Sequence, residues 1–218
     1  MAYLLLYIAL TWLVLMPARF RAMAKGYRKA SLALKALPTA LAAAFAAAGY
    51  FSAEVRDLYG LMIFIGLCVC TLADVALDVR FEVGGALFFT GHVVYVAALS
   101  QYRVLSWWCL TVFVIALAGL WCFALRYRRH FPKPHLLAGV MIYVVALAAL
   151  LAFSLPLPLL APSARSTLAA LGAVTFVVTA MTLCHNLLLK RPSSCQFVSL
   201  GIYYMAQLLL ALSAFPPS

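Results

Sequence analysis

The chain has 218 residues, of which 67% are hydrophobic and only 10% charged, against roughly 45–50% apolar and 25% charged in ordinary globular domains. So few charges cannot cover the surface of a soluble protein of this size, and the mean hydropathy of +1.08 points the same way. A soluble enzyme, a disordered chain and a nucleic-acid binder are therefore excluded. The net charge of +11, from 16 Lys and Arg against 5 Asp and Glu, is expected to report membrane topology and not a polyanionic partner.

A helical span needs about 20 mostly apolar residues. Eight such runs follow along the chain, at 2–17, 31–51, 58–79, 82–100, 104–124, 136–154, 165–188 and 196–213. The first is short, but it lacks the charged leader and the A-x-A site of a signal peptide and is read as a helix. The runs are continuous, where a transmembrane β-barrel would alternate. The links are short, which predicts an all-α polytopic membrane protein in which residues 1–218 form a single bundle of eight transmembrane helices. Pro156, Pro158 and Pro162 make the link after the sixth helix the most irregular. No internal repeat stands out, which counts against a transporter built from inverted repeats.

The cations set an orientation. Twelve of the 16 lie in odd-numbered links: Arg19, Arg21, Lys25, Arg28 and Lys29 in the first, Arg80 in the third, Arg126, Arg128, Arg129 and Lys133 in the fifth, Lys190 and Arg191 in the seventh. Arg56, Arg103 and Arg165 lie in even-numbered links, and Lys35 lies inside the second helix. Cations accumulate on the cytoplasmic side, so the odd links are expected there and both termini on the non-cytoplasmic side. The fifth link, with His130 and His135, reads as a topology signal and a contact for lipid phosphates. The six cysteines fall in or at the edge of spans, with the C-x-C pair Cys68 and Cys70 on different helix faces. They are expected to be buried free thiols, with no disulfide framework and no metal site.

Ionisable groups inside a membrane helix cost about 2.5–3.5 kcal/mol each and are functional candidates by default. They are few: Lys35 in the second helix, Asp74 and Asp78 in the third, His92 in the fourth, His185 beside Asn186 at the end of the seventh, with Tyr203, Tyr204 and Gln207 in the eighth. The orientation puts all of them in the same half of the bilayer, which predicts one polar cavity opening toward the cytoplasm. Each also has a purely structural reading. Asp78 is near enough to the interface to be solvated, Asp74 has Lys35 as a potential ion-pair partner, and Lys35 has the headgroups within its reach. His92 is able to bond a backbone carbonyl, and Tyr203 and Tyr204 to serve as packing aromatics.

Residues 66–99, GLCVCTLADVALDVRFEVGGALFFTGHVVYVAAL, resemble the YhhN-like lysoplasmalogenase family. That family's pattern is Gly-Asp near a helix end, then Phe-x-x-Gly-x-x-x-Phe, then His-x-x-Tyr. Asp74 matches its acid, Phe81, Gly84 and Phe88 the middle, and His92 and Tyr95 the end. KALPT at 35–39 is similar to a Lys-Pro-Leu-Thr element, GAVTFVVTAM at 172–181 to a Gly-Ala…Phe-x-x-Ser-Asp element, and YYMAQ at 203–207 to a Tyr-x-x-x-Gln element. The departures are Ala73 for Gly, Ala36 for Pro, and Thr179-Ala180 where the family often has Ser-Asp.

The resemblance implies a hydrolase of an inner or plasma membrane that cleaves the vinyl ether of lysoplasmalogens. Its products would be a fatty aldehyde and glycerophosphoethanolamine or glycerophosphocholine. The partners expected are a lysophospholipid substrate and membrane lipids; the oligomeric state is left open. The chemistry begins by protonating an alkene carbon and needs an acid that holds its proton near neutral pH. A carboxyl in a low-dielectric site favours its neutral form, so Asp74 is the expected general acid, with Asp78 as its paired carboxylate and His92 to orient or deprotonate water. Lys35, Tyr95, Tyr203, Tyr204, Gln207 and His185 are the expected substrate-binding residues. No cofactor or metal is needed for this route. Two other classes remain open: a small proton-coupled transporter relaying protons through Asp74 and His92, and a lipid-binding member of the family that has lost catalysis, prompted by Ala180. Intramembrane aspartyl proteolysis needs acids on two helices and is set aside.

Overall fold

The computed structural model describes residues 2–52, 54 and 56–215, with side chains from residue 4 onward. Eight helices in it are each long and apolar enough to cross a membrane: α1 Leu4–Ala24, α2 Arg28–Ser52, α3 Leu58–Val79, α4 Phe81–Ser100, α5 Trp107–Arg126, α6 Pro134–Leu160, α7 Ala164–Leu188 and α8 Ser193–Ser213. The described residues contain no strand. The eight expected spans are thus present, with shifted ends. Loop polar groups close the N-terminal ends of three helices. Asp57 caps α3 by accepting from the Gly60 amide, Ser106 caps α5, and Ser163 caps α7 in a reciprocal box with Ser166.

Two boundaries depart from the sequence expectation. The first helix does not stop near Pro17 but continues to Ala24, so Arg19 and Arg21 belong to α1 and the first link shrinks to Lys25–Tyr27. A π-helical stretch at Leu10–Leu15 precedes the proline. Proline is tolerated early in a helical segment, where its missing N–H is not needed, and the wider turn supplies such a new start. It also rotates every later side chain by roughly one residue's worth of arc, about 100°. In that register Arg19 faces inward and is buried. At the other irregular link, α6 is regular through Ser154 and ends in a turn and a short helix at Leu157–Leu160, with Pro158 in its first turn.

Neighbours in sequence pack side by side, α3 against α4, α7 against α8 and α2 against α3, while α4–α6, α6–α7 and α8–α2 contacts close the bundle. Helix α8 is the most buried span and α5, which leans mainly on α6, the least. Lipid-facing positions are apolar, among them Leu13, Leu72, Ile115 and Ile142, and Trp107 and Trp108 stand exposed at the start of α5, as aromatic residues do at a membrane interface. The two ends of the bundle differ. A cavity at one end is bordered by Arg19, Gly26, Asp78 and Gln196, and His135 approaches Glu82 at 3.7 Å. Those contacts gather the first, third, fifth and seventh links with the helix ends that flank them, and together these carry most of the cations. At the opposite end Arg165 pairs with Asp57, donates to the carbonyls of Ala214 and Phe215 and covers the Tyr59 ring at 4.9 Å. That end is clasped by charge and hydrogen bonds.

Candidate active site

Asp74 sits on the inward face of α3 and is 1% exposed. Its Oδ2 accepts two hydrogen bonds, from Thr39 Oγ1 of α2 at 2.6 Å and from the Tyr203 hydroxyl of α8 at 3.0 Å. The Tyr203 oxygen accepts in turn from Gln207 Nε2 at 2.8 Å, and Gln207 Oε1 accepts from the Tyr95 hydroxyl of α4 at 3.0 Å. Four helices thus converge on one carboxyl through a continuous hydrogen-bonded chain, and every side chain in it is buried. Among the described residues Asp74 has no Lys, Arg or His nitrogen within ion-pair distance, and its Oδ1 has no hydrogen-bond partner.

Small residues make room for this chain. A side chain at Gly66 would run into the Tyr95 ring, and one at Gly91 would meet Cys70 Sγ at 2.8 Å. Pro38 interrupts the ladder of α2, and two hydroxyls serve the carbonyls around it. Tyr204 donates to Lys35 O at 2.7 Å and Tyr7 to Pro38 O at 3.1 Å. Tyr204 therefore braces α2 with its hydroxyl. Thr39 and Tyr7 were not expected in the site. KALPT contains Thr39, but a helical threonine more often returns its hydroxyl to its own helix, as Thr71 and Thr90 do here.

One turn from Asp74 on the same face of α3, Asp78 is bound by two cations, Lys35 Nζ at 2.6 Å and Arg19 Nη2 at 3.2 Å. The side chains of Lys35 and Arg19 are 7% and 9% exposed, that of Asp78 33%. Lys35 thus pairs with Asp78 and not with Asp74. The ammonium reaches toward the interface, as a lysine stem does from within a membrane, and that direction leads to the outer acid.

A YhhN family profile matches residues 30–214. The chain belongs to the YhhN family. No curated protein and no solved structure gives a significant match.

Two other expected positions of this YhhN chain make no hydrogen bond to Asp74. His92 is fully buried on α4. Its Nδ1 meets the Phe88 carbonyl, and its ring packs edgewise on Phe176 at 4.3 Å, Tyr143 at 5.4 Å and Tyr95 at 6.0 Å. A carbonyl only accepts, so the hydrogen is assigned to Nδ1, which leaves Nε2 as an acceptor. That Nε2 is buried and has no partner among the described residues. His92 and Asp74 share no hydrogen bond; Phe176 and Tyr203, with ring centroids 5.6 Å apart, link their surroundings. His185 lines a different, mostly apolar groove of about 690 Å³ between α7 and α8, and its ring packs on Tyr127 at 5.4 Å. Ala180, where the resemblance led to the expectation of an acid, packs against the core, and the neighbouring Thr179 hydroxyl donates to the Thr175 carbonyl at 2.9 Å. The seventh helix therefore supplies no acid at Ala180.

Proposed function

We propose that this YhhN protein is a lysoplasmalogenase-type hydrolase in which Asp74 protonates the vinyl ether. The carrying observation is the contrast between the two acids of α3. Asp78 is neutralised by Lys35 and Arg19, whereas Asp74 is buried with hydroxyl donors alone. A buried carboxyl without a cation keeps its proton at far lower cost than it keeps a charge. With Oδ2 occupied by two donors, the proton belongs on Oδ1, the oxygen without a protein partner. That is the state a general acid needs.

The reaction follows from that placement. Asp74 Oδ1 gives its proton to the alkene carbon remote from the ether oxygen, and the electron pair of the double bond forms the new C–H bond. The resulting oxocarbenium ion is attacked by water at the carbon bound to oxygen. Asp74, now a carboxylate held by Thr39 and Tyr203, takes back a proton, and the hemiacetal collapses to an aldehyde and the glycerol hydroxyl. One water is consumed and the acid is restored. His92 Nε2, an unpartnered buried acceptor, is suited to hold that water. The basic end of the bundle faces the cytoplasm of a plasma or inner membrane in this proposal, because cations accumulate there.

The test is to incubate the purified protein with 1-alkenyl lysophosphatidylethanolamine and measure free long-chain aldehyde. Release that is lost in Asp74→Asn, with an unchanged melting temperature, supports the proposal. No aldehyde from the wild-type protein, or full activity in Asp74→Asn, overturns it.

A further inference from the structure

At the basic end of the bundle the ends of α1 and α3 and the starts of α2 and α8 border a cavity of about 420 Å³ that is open to the surface, lined among others by Arg19, Arg28, Ser31, Asp78 and Gln196. Its chemistry is incomplete. Arg19 is 7% exposed. One nitrogen reaches Asp78, while its buried Nε has no hydrogen-bond partner among the described residues. A buried guanidinium N–H left unpaired carries the full cost of its lost hydration. Asp78 is a single carboxylate shared by two buried cations, Arg19 and Lys35, and Arg28 adds a third positive charge on the rim. The cavity holds more positive charge than it neutralises.

We infer that this cavity is an anion subsite that takes the phosphodiester of a single-chain phospholipid, with Arg19 as its principal ligand. A guanidinium fork matches phosphate oxygens in pairs, and Ser31 and Gln196, which also line the cavity, offer neutral partners. The position supports a lipid phosphate. Asp78 lies four residues from Asp74, about 6 Å along α3. In a glycerophospholipid the chain from phosphorus to the sn-1 ether oxygen spans five bonds, also about 6 Å, the same axial step. A phosphate at the level of Asp78 and Arg19 sets the sn-1 oxygen at the level of Asp74. The choice of a lysolipid rests on the proposed function; the anion site rests on Arg19 and its cavity.

The test measures binding without turnover. Purified protein in neutral detergent is titrated with 1-acyl lysophosphatidylethanolamine, with a monoacylglycerol of the same chain, and with inorganic phosphate, using native mass spectrometry or thermal shift. The lysophospholipid is expected to bind at least about tenfold tighter than the monoacylglycerol, the scale of one charge-assisted contact. Arg19→Gln is expected to remove that advantage while leaving monoacylglycerol binding alone, and Arg19→Lys to restore part of it. Arg28→Gln, at an exposed position that the fold does not need, is expected to weaken lysophospholipid binding by roughly threefold. Equal binding of the two lipids, or an advantage that survives both Arg19→Gln and Arg28→Gln, overturns the subsite. Arg19-dependent binding of inorganic phosphate with no preference between the two lipids overturns the lipid assignment. Failure of the hydrolase proposal looks different: lysophospholipid binding stays Arg19-dependent and no aldehyde is released from the alkenyl lipid.

Discussion

Tyr203→Phe tests the proposed role of the Asp74 carboxyl most directly. The substitution keeps the ring, which packs against Phe88 at 5.9 Å and Phe176 at 5.6 Å, and deletes only the hydroxyl. That hydroxyl donates to Asp74 Oδ2 at 3.0 Å and accepts from Gln207 Nε2 at 2.8 Å. As Asp74 gives up its proton its charge grows, and a donor to a charged acceptor is worth about 1.5–3 kcal/mol, roughly twice a neutral bond. The part realised only in the transition state lowers kcat, by about tenfold for each 1.4 kcal/mol. A loss of about 10- to 100-fold in kcat with little change in KM is expected. The orphaned Gln207 Nε2 adds about 1–3 kcal/mol of instability. The assay is aldehyde release at varied lysoplasmalogen, corrected for the folded fraction by a melting curve. Thr39→Val is the companion, since it removes the 2.6 Å donor to the same oxygen. Because both hydroxyls serve one atom, the double variant should depart from additivity. A Tyr203→Phe protein with normal kcat and a raised KM would refute the reasoning, since Tyr203 would then act on the substrate and not on Asp74.

Gly66→Ala pushes a methyl group into the Tyr95 ring; such overpacking costs about 1–3 kcal/mol and misplaces the Tyr95–Gln207–Tyr203 chain, so both melting temperature and kcat should fall. Arg165→Met, at the clasped end far from Asp74, loses the Asp57 pair and two carbonyl contacts; the melting temperature should drop by roughly 5 °C, while the folded protein keeps its kcat. His92→Phe fills the same edge-on aromatic site and deletes an acceptor that has no partner among the described residues, along with the Nδ1 bond to the Phe88 carbonyl, an oxygen that the α4 ladder also serves; stability should change by about 1 kcal/mol, while aldehyde release should fall at least tenfold, and retention of full activity would remove His92 from the chemistry. Asp78→Asn weakens the hold on Arg19 and Lys35; lysophospholipid affinity, read by the same titration as for Arg19→Gln, should rise several-fold, and a fall would show that Asp78 holds Arg19 in place for the lipid.

In a membrane the usual legibility of a sequence is inverted. Apolar residues say little beyond the count of helices, because lipid and core accept them alike, and the exposed Leu13 and the buried Leu67 look the same in the sequence. Polar residues carry the information, and Asp74, Tyr95, Tyr203 and Gln207 stand out for that reason. What stays hidden is geometry. Arg19 reads as a loop cation because the apolar run ends at Pro17, and nothing in the letters announces the π-helical stretch that extends α1 and rotates Arg19 inward. His185 is as conspicuous in the sequence as His92, yet α7 presents it to another groove, since helix rotation is set by packing and not by composition.

The pairing between α2 and α3 shows how one register divides labour between two identical acids. The helices are antiparallel neighbours, so four residues forward on α2 match four residues back on α3. Lys35 faces Asp78 and Thr39 faces Asp74. The same spacing that puts both acids on one face of α3 puts an ammonium against the outer one and a hydroxyl against the inner one. Arg19 reinforces the difference, because among the described residues its acidic contact is Asp78 and not Asp74. The outer acid is thereby fixed as a charge that holds two cations at the mouth of the bundle. The inner acid, one turn deeper and served by hydroxyls alone, is left free to gain and lose a proton. Exchanging the two environments, with Lys35→Thr and Thr39→Lys combined, should therefore abolish aldehyde release even though every acid is retained, because the cation would then sit against Asp74, the carboxyl proposed to protonate the substrate.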